Sequence, residues 1–456
     1  MARKNVYCAI VTLMRRFIAT KLVTWKQRKD RKPLILKGAR QVGKTYALLA
    51  FAEAHFPQHH YFNFEKEPKL ASIFDESLEP AKIIQALSLH RQTRIDIEND
   101  LIIFDEIQAC PNALTSLKYF CEDMPAAYVC AAGSLLGVYL NPVSYPVGKV
   151  NHLEMYPMSF LEFLGAVDDV QYVELLQQLT TRDTIPQIAH EHLWERLQHY
   201  FIVGGLPDVV RIYCEHSDDL VTAFNLVREK QLDLIEDYFS DIAKHSGKLN
   251  AMHINRIWRN IPEQLAQTQD GSAKKFKFKG AIPGIDRYSK LADALDWLGA
   301  AGLIIKVGIV KKGALPLKAY AKDNEFKLFI FDVGILGALC DISVKTILDY
   351  SYGSYKGFYA ENFIAVAFGS TSALAQYSWV EKSAEVEFIR EIDAALIPIE
   401  VKSGWVTRAK SLSVFAQKYR PAYRVIMSAN NMRINTKENI QYLPLYLAER
   451  FPLDET

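Results

Sequence analysis

Several features are scarce in this sequence of 456 residues, and each absence narrows the class of protein. No two of its six cysteines form a C-x-x-C pair, which argues against a zinc site or a disulfide framework and fits a reducing cytosol. The formal net charge is only +2, so any surface that attracts nucleic acid or an anionic membrane has to be local.

Long hydrophobic runs are also missing. The longest apolar stretch, Ala126–Leu140, contains Gly133 and Ser134 and is too short to span a bilayer. Near the N-terminus, the short apolar run Val6–Met14 is not followed by the small-residue cleavage site of a signal peptide. We therefore predict a cytoplasmic protein that makes no membrane contacts.

The length and the patterning predict several domains, because one hydrophobic core does not serve so long a chain. After an N-terminal extension (1–19), buried apolar runs alternate with helical patterns over 20–165, which predicts an α/β domain with a parallel sheet. Residues 166–249 are mostly helical and are predicted to form a lid or connector. Helices followed by a β-hairpin over 250–345 indicate a winged-helix-like module. Residues 346–456 alternate helix and strand and are predicted to form a second α/β domain.

One motif lies where a phosphate-binding loop requires it. The stretch Gly38-Ala39-Arg40-Gln41-Val42-Gly43-Lys44-Thr45 matches G-x-x-x-x-G-K-[ST], follows the apolar strand Leu34–Leu36 and opens a helix. Its backbone N–H groups and the helix N-terminus suit a β-phosphate. We expect Lys44 to reach the β- and γ-phosphates of ATP and Thr45 to bind Mg²⁺.

Two adjacent acids complete this predicted site. The buried strand Leu101–Phe104 ends in Asp105 and Glu106, an arrangement typical of a Walker B motif that faces a cation. We assign Asp105 to Mg²⁺ and Glu106 to the attacking water. Ser134 follows the next strand and is either a polar contact of the γ-phosphate or a plain helix N-cap.

At these residues the chain resembles a family of prokaryotic AAA-type ATPases (AAA domain class 14) with a C-terminal domain of unknown function, DUF4143. The AAA marks are the P-loop, Phe104–Gln108 and Met155–Phe160. Those assigned to the C-terminal region are Gly204–Pro207, Asp241-Ile242, Ala294–Leu298, Phe331–Gly334, Ala360–Asn362 and Ile399–Gly404. Two positions depart from the family pattern, because Lys149 stands where arginine is usual and Glu387 where aspartate is typical.

The C-terminal region also carries an acidic pattern that is typical of restriction-endonuclease-like folds, which the resemblance suggests as well. Strand alternation places Glu400 and Lys402 on one face, Glu387 occupies a neighbouring strand, and Glu361 lies on the preceding helix. Glu387 and Glu400 are predicted to bind Mg²⁺, with Lys402 and Glu361 completing a nuclease site. Alternation of Glu and Lys for solubility alone predicts the same pattern.

Two further segments have ordinary explanations beside functional ones. The stretch Lys274–Lys279 interleaves lysine and phenylalanine, which fits either a phosphate-backbone contact or a half-buried strand with a solvated lysine face. The pair His59-His60 has no third ligand at metal spacing, so we interpret it as a surface pair.

These observations predict an Mg²⁺-dependent ATPase and leave its biological role open. The first hypothesis is ATP-dependent DNA handling with a nuclease-like C-terminal domain. The alternative is a regulatory ATP switch that acts on a protein partner, or on further copies of the chain, through a catalytically inactive nuclease-like domain. A chaperone-like remodelling ATPase is a more distant third.

Overall fold

The computed structural model describes residues 15–134, 145–246, 248–266, 274–349, 355–405 and 409–454. These residues belong to two compact units, one of residues 15–156 with 300–302 and the other of residues 157–299 with 303–454. The run Val6–Met14 and most of the predicted N-terminal extension lie outside the described residues.

The first unit is built on a sheet of five parallel strands in the order β2-β3-β4-β1-β5. The strands are β1 (Leu34–Lys37), β2 (His59–Asn63), β3 (Leu101–Asp105), β4 (Tyr128–Ala132) and β5 (Asn151–Glu154). The helices are α1 (Ile18–Gln27), α2 (Lys44–His55), α3 (Ala71–Glu76), α4 (Pro80–Arg91) and α5 (Pro111–Asp123). Parallel strands with interspersed helices confirm the predicted P-loop fold.

The strand order decides which residues can meet at the carboxyl edge of the sheet, which is the side formed by the C-terminal ends of the parallel strands. Because β4 lies between β1 and β3, the P-loop after β1, Ser134 after β4 and Asp105 at the end of β3 share one edge. The inner strands are held by apolar side chains such as Ile35, Phe104 and Val129, all fully buried.

One interpretation from the sequence was wrong in this unit. His60 is not a surface residue: it is buried, and its Nε2 lies 3.0 Å from Asp100 Oδ2. The alternation of β2 explains this, since His59 and Tyr61 are half-buried while His60 and Phe62 point into the protein.

The second unit combines a helical region with a mixed sheet of eight strands. Its helices are α6 (Phe160–Ala166), α7 (Val170–Gln178), α8 (Gln187–Val203), α9 (Pro207–Glu215), α10 (Leu220–Ser246), α11 (Lys248–Ala266), α12 (Ala292–Ala300), α13 (Val333–Leu339), α14 (Val344–Leu348), α15 (Tyr355–Thr371) and α16 (Lys410–Tyr419). Its strands are β6 (Ile304–Val310), β7 (Ala321–Ile330), β8 (Gln376–Glu381), β9 (Ala384–Ile392), β10 (Ala395–Val401), β11 (Arg424–Ser428), β12 (Arg433–Asn435) and β13 (Ile440–Pro444).

The predicted β-hairpin is present, but it is not a separate wing. β6 and β7 pair antiparallel, and β6 also pairs in parallel with β8, so the sheet order is β12-β13-β11-β10-β9-β8-β6-β7. The physical reason is the apolar end of β7, Phe326–Ile330, which is buried throughout and needs cover on both faces. The hairpin therefore belongs to the C-terminal sheet, across the boundary expected near residue 345.

Two sequence marks that lie far apart along the chain meet in this unit. Asp332 is buried and accepts hydrogen bonds from the N–H groups of Gly205 (2.7 Å) and Ile335 (2.9 Å). Gly204 has a φ of +72°, and a Cβ at that position would overlap the Asp332 carboxylate. Gly204 is thus required by the close approach of the aspartate, whereas a Cβ on Gly205 would overlap the carbonyl oxygen of Met158.

Candidate ATP site and C-terminal acidic cluster

The P-loop has the strained backbone that its glycines permit. Gly38 has a φ of +147° and Gly43 a φ of +92°, and a Cβ on Gly38 would overlap the carbonyl oxygen of Met155. Gln41 also adopts a positive φ, of 63°. The loop delivers the chain into α2, whose first residue is Lys44, so its N–H groups lie at a helix N-terminus.

Lys44 is buried within this loop. Its Nζ donates hydrogen bonds to the carbonyl oxygens of Ala39 (2.7 Å) and Gly38 (3.1 Å). Burial lowers the pKa of Lys44 to about 8, although the carboxylates of Glu106 and Asp105 act in the opposite direction. A phosphate group beside it would restore the favourable environment of the ammonium group.

Asp105 receives four hydrogen bonds. Its Oδ2 accepts from Thr45 Oγ1 (2.9 Å), Tyr61 Oη (2.6 Å) and Asn63 Nδ2 (3.2 Å), and its Oδ1 accepts from the N–H of Glu106 (3.0 Å). Tyr61 and Asn63 come from β2 and were not identified from the sequence. The available signal was their spacing of two residues at the end of a strand, which places both polar side chains on one face.

The oxygens of Thr45 and Asp105 fit the predicted magnesium. Two neighbouring ligands of an octahedral Mg²⁺, each at about 2.1 Å, lie about 3 Å apart. The 2.9 Å between Thr45 Oγ1 and Asp105 Oδ2 matches that spacing. Phosphate oxygens and water would supply the other positions.

Glu106 is held beside this pair. Its backbone is left-handed, with a φ of 50°, and its Oε2 accepts a hydrogen bond from Gln108 Nε2 at 2.5 Å. Burial raises the pKa of Glu106, and the neighbouring Asp105 adds to the rise. A carboxylate with a raised pKa is a stronger base than an exposed one.

The second unit gathers the predicted C-terminal acids into one buried cluster. In the antiparallel pairing of β9 and β10, Ile399 lies opposite Phe388, so the next pair is Glu400 opposite Glu387, on one face of the sheet. Glu361 from α15 is buried nearby, and its charge is among those that raise the pKa of Glu387, after burial and Glu400. The residues chosen from the sequence are therefore neighbours.

Two lysines neutralise this cluster. Lys402 Nζ lies 2.7 Å from Glu400 Oε1. Lys327 of β7, which the sequence analysis missed, is fully buried, with its Nζ 3.2 Å from Glu361 Oε2 and 2.5 Å from Glu385 Oε1. Burial alone would lower the pKa of Lys327, but the surrounding carboxylates outweigh it and raise the pKa.

The arrangement does not fit the metal predicted at Glu387 and Glu400. Among the described residues, no three His, Cys, Asp or Glu side chains form a group that could hold a metal ion. The positive charge near Glu361 and Glu400 comes from lysine instead. Glu400 Oε2 is buried without a hydrogen-bond partner; burial raises the pKa of Glu400, while Lys402 acts in the opposite direction.

Three family models match successive parts of the chain. Residues 30–164 match the AAA domain, residues 194–346 match a domain of unknown function (DUF8612), and residues 356–448 match another domain of unknown function (DUF4143). The chain carries an AAA domain and a C-terminal DUF4143 domain. The predicted resemblance is confirmed for both. Four of the six marks that we grouped with the C-terminal region lie within the DUF8612 match instead: Gly204–Pro207, Asp241-Ile242, Ala294–Leu298 and Phe331–Gly334.

Solved structures resemble this AAA protein only loosely. The alignment with the Aeropyrum pernix ORC1 protein in complex with DNA has 11% identity, covers 73% of this chain and 92% of that chain, and has a TM-score of 0.31. The Thermotoga maritima RuvB Holliday junction branch migration motor has 12% identity, coverages of 67% and 89% and a TM-score of 0.27. Drosophila ORC bound to DNA has 14% identity, coverages of 74% and 95% and a TM-score of 0.26. No curated protein matches the chain.

In the part of this AAA protein that the structure describes, no helix is both long enough and apolar enough to cross a membrane.

Proposed function

We propose that the AAA domain binds ATP with Mg²⁺ and hydrolyses it at the site formed by Lys44, Thr45, Asp105 and Glu106. The observation that carries this proposal is the 2.9 Å spacing of Thr45 Oγ1 and Asp105 Oδ2 beside the buried Lys44. A hydroxyl, a carboxylate and an ammonium group brought together at the end of a P-loop suit a nucleoside triphosphate and its metal.

Each residue has a distinct task in this proposal. The N–H groups of Gly38–Thr45 surround the β-phosphate, and Lys44 exchanges its bonds to the loop carbonyls for phosphate oxygens. Bound Mg²⁺ would neutralise charge on the phosphates. Glu106, oriented by Gln108, aligns the attacking water and accepts its proton.

Nucleotide binding by Lys44→Ala tests this proposal. We expect binding to be lost, because the phosphates then have no ammonium group in the P-loop. The matched control is Lys82→Ala in the same unit, whose side chain is 63% exposed. Calorimetric titration of ATP should give wild-type affinity for the control and none for Lys44→Ala. Unchanged affinity in Lys44→Ala would exclude the assigned site.

We propose DNA as the macromolecule on which this ATPase acts, through the lysines of Lys274–Lys279. All four lysines of this segment are exposed, whereas Phe276 is buried and stacks on Phe326 at 6.3 Å. A single backbone bond, from Phe276 N–H to the Phe326 carbonyl, ties the segment to β7. Lys275 Nζ also lies 3.4 Å from Glu325 Oε1, an ion pair that a phosphate could replace. Exposed lysines around an anchored aromatic ring suit a phosphate backbone.

For the C-terminal cluster we propose a nuclease-like domain that does not cleave nucleic acid and that acts as a regulatory module. The supporting observation is the pairing of Lys327 with Glu361 and Glu385, which supplies the charge that a metal would otherwise provide. A cleavage assay with Mg²⁺ or Mn²⁺ separates this function from a nuclease.

A further inference from the structure

The P-loop contains an arginine whose side chain the motif does not require. Arg40 Nε donates a hydrogen bond to Ser134 Oγ at 3.3 Å, and its Nη2 lies 3.3 Å from Glu65 Oε1. Ser134 is buried at the end of β4, between β1 and β3, and Glu65 follows β2. The guanidinium therefore lies across the carboxyl edge of the sheet, the edge that also carries Asp105.

Other charges of the site are close enough to act on one another. Besides burial, which is the main cause, the Arg40 charge contributes to the lowered pKa of Lys44. Glu65 in turn contributes to the raised pKa of Glu106, after burial and Asp105. Arg40, Lys44, Glu65 and Glu106 therefore belong to one set of interacting charges.

The Arg40–Glu65 pair is only moderately stable in this position. The two side chains are 28% and 35% exposed, so solvent weakens the attraction between them. A triphosphate carries more charge than one carboxylate and offers arginine two oxygens at once. The pair can therefore be exchanged for a phosphate contact at low cost.

We propose that Arg40 contacts the terminal phosphate of bound ATP from within the same chain, and that Glu65 holds its guanidinium ready until the triphosphate arrives. This proposal rests on the proposed ATP hydrolysis at Lys44 and Glu106. It gives Arg40 the role of a catalytic arginine within the same chain, and it makes hydrolysis independent of an arginine from a second copy.

The chemical step is ordinary hydrolysis. The water oxygen forms a bond to the terminal phosphorus while the bond from that phosphorus to the bridging oxygen breaks, and its electron pair leaves with ADP. The proton of the water passes to Glu106 and then to solvent. Arg40 stabilises the charge on the equatorial oxygens of the transferred group, which a lysine would do less well because it lacks the planar fork.

The test uses three variants of the full-length chain, Arg40→Ala, Arg40→Lys and Glu65→Gln, and a control, Arg94→Ala, at an exposed position of the same unit. We expect Arg40→Ala to keep its ADP affinity and to lose at least about a thousandfold in kcat, within the range of arginines that act on phosphoryl transfer. Arg40→Lys should keep ATP binding and recover little of kcat. Glu65→Gln should raise affinity for ATP over ADP by about two- to fivefold, the value of one exposed ion pair.

The remaining outcomes separate this proposal from its foundation. Equal losses of ATP and ADP affinity in Arg40→Ala would mean that the arginine only shapes the loop, and an unchanged kcat would also overturn the proposal. A wild-type kcat that falls on dilution would point to an arginine from another copy instead. If Lys44→Ala binds ATP normally, the proposed ATP site itself fails, whatever Arg40 does.

Discussion

At the scale of single residues, Asp105 of the AAA domain is held in one orientation by hydrogen bonds from several side chains. Three donors converge on one of its oxygens, and two of them, Tyr61 and Asn63, come from the neighbouring strand β2. Burial raises the pKa of Tyr61 to about 12, and its hydrogen bond to Asp105 contributes, so Tyr61 stays a donor at neutral pH. The carboxylate is therefore oriented before nucleotide arrives, which spares reorganisation during the reaction.

Glu106→Gln separates nucleotide binding from hydrolysis. The amide keeps the shape of the side chain and removes the carboxylate that aligns water and accepts its proton. We expect normal ATP affinity and turnover that is at least about tenfold slower, equivalent to about 1.4 kcal/mol of transition-state stabilisation. Phosphate release measured at saturating ATP decides the question. Undiminished turnover would show that another residue positions the water.

At the scale of elements, the N-terminus of α6 depends on a carboxylate from far along the chain. The N–H groups of Phe160 and Leu161 donate to the two oxygens of Glu449, at 2.5 and 3.2 Å. Ser159 and Glu162 add a capping box at the same end. Burial raises the pKa of Glu449 to about 7, and Glu162 adds to the rise, while the backbone N–H groups and Ser159 oppose it.

This raised pKa predicts how stability depends on pH. The folded chain keeps the Glu449 proton up to pH 7, whereas the unfolded chain releases it near pH 4.5, so the contribution to stability falls between those values and is constant above them. Between pH 4.5 and pH 7, the contribution of Glu449 to the free energy of unfolding falls by roughly 3 kcal/mol. We expect the melting temperature of Glu449→Gln to fall less than that of wild type between pH 5 and pH 7, the range these pKa values span. The control is Glu229→Gln, an exposed residue of α10; parallel pH profiles for wild type and Glu449→Gln would contradict the assignment.

The elements also show which parts of the fold could be predicted from sequence. Buried strands such as β1 and β3 were clear because every residue is apolar until the functional tip. β5 was missed because its residues alternate between half-buried and exposed, and His152 and Glu154 give it no apolar run. The hairpin β6–β7 was found, but its partner was not, because pairing across the sheet is set by packing that local patterns do not encode.

The acidic cluster shows the same limit. Strand alternation correctly put Glu400 beside Lys402, and the pairing of β9 with β10 brings Glu387 opposite Glu400. Lys327 was overlooked, although a lysine within the apolar run Phe326–Ile330 was a usable signal of a buried partner. Its ion pairs join β7 to α15 and β9, which are distant in sequence.

At the scale of the whole molecule, the DNA hypothesis makes a quantitative prediction about salt. Each lysine that contacts a phosphate lowers the slope of log affinity against log salt by about 0.9. We expect the full-length chain to bind DNA with a salt-dependent affinity, and a variant with the four lysines of Lys274–Lys279 changed to glutamine to lose most of that dependence. Fluorescence anisotropy measures both. The control changes four exposed lysines elsewhere, Lys66, Lys69, Lys82 and Lys382. Absence of binding at any salt concentration would favour a protein partner.

The last prediction concerns whether the C-terminal domain cleaves nucleic acid. A nuclease of this type needs carboxylates that share a cation, and a cluster already neutralised by Lys327 and Lys402 has less need of one. We therefore expect wild type and Glu400→Ala to be equally inert on single- and double-stranded DNA and RNA with Mg²⁺ or Mn²⁺, with or without ATP. ATPase activity, measured in the same samples, serves as the control for folding.

The opposite outcome would be equally clear. Cleavage by wild type that disappears in both Glu400→Ala and Lys402→Ala, while ATPase activity survives, would establish a metal-dependent nuclease and show that Lys402 yields its place beside Glu400 when metal binds. Lys327→Met then distinguishes the two roles of the buried lysine. If Lys327 is structural, its loss deprives Glu361 and Glu385 of the lysine that they share and destabilises the fold by about 3–5 kcal/mol. If a metal can take its place, added Mg²⁺ should restore the melting temperature of Lys327→Met.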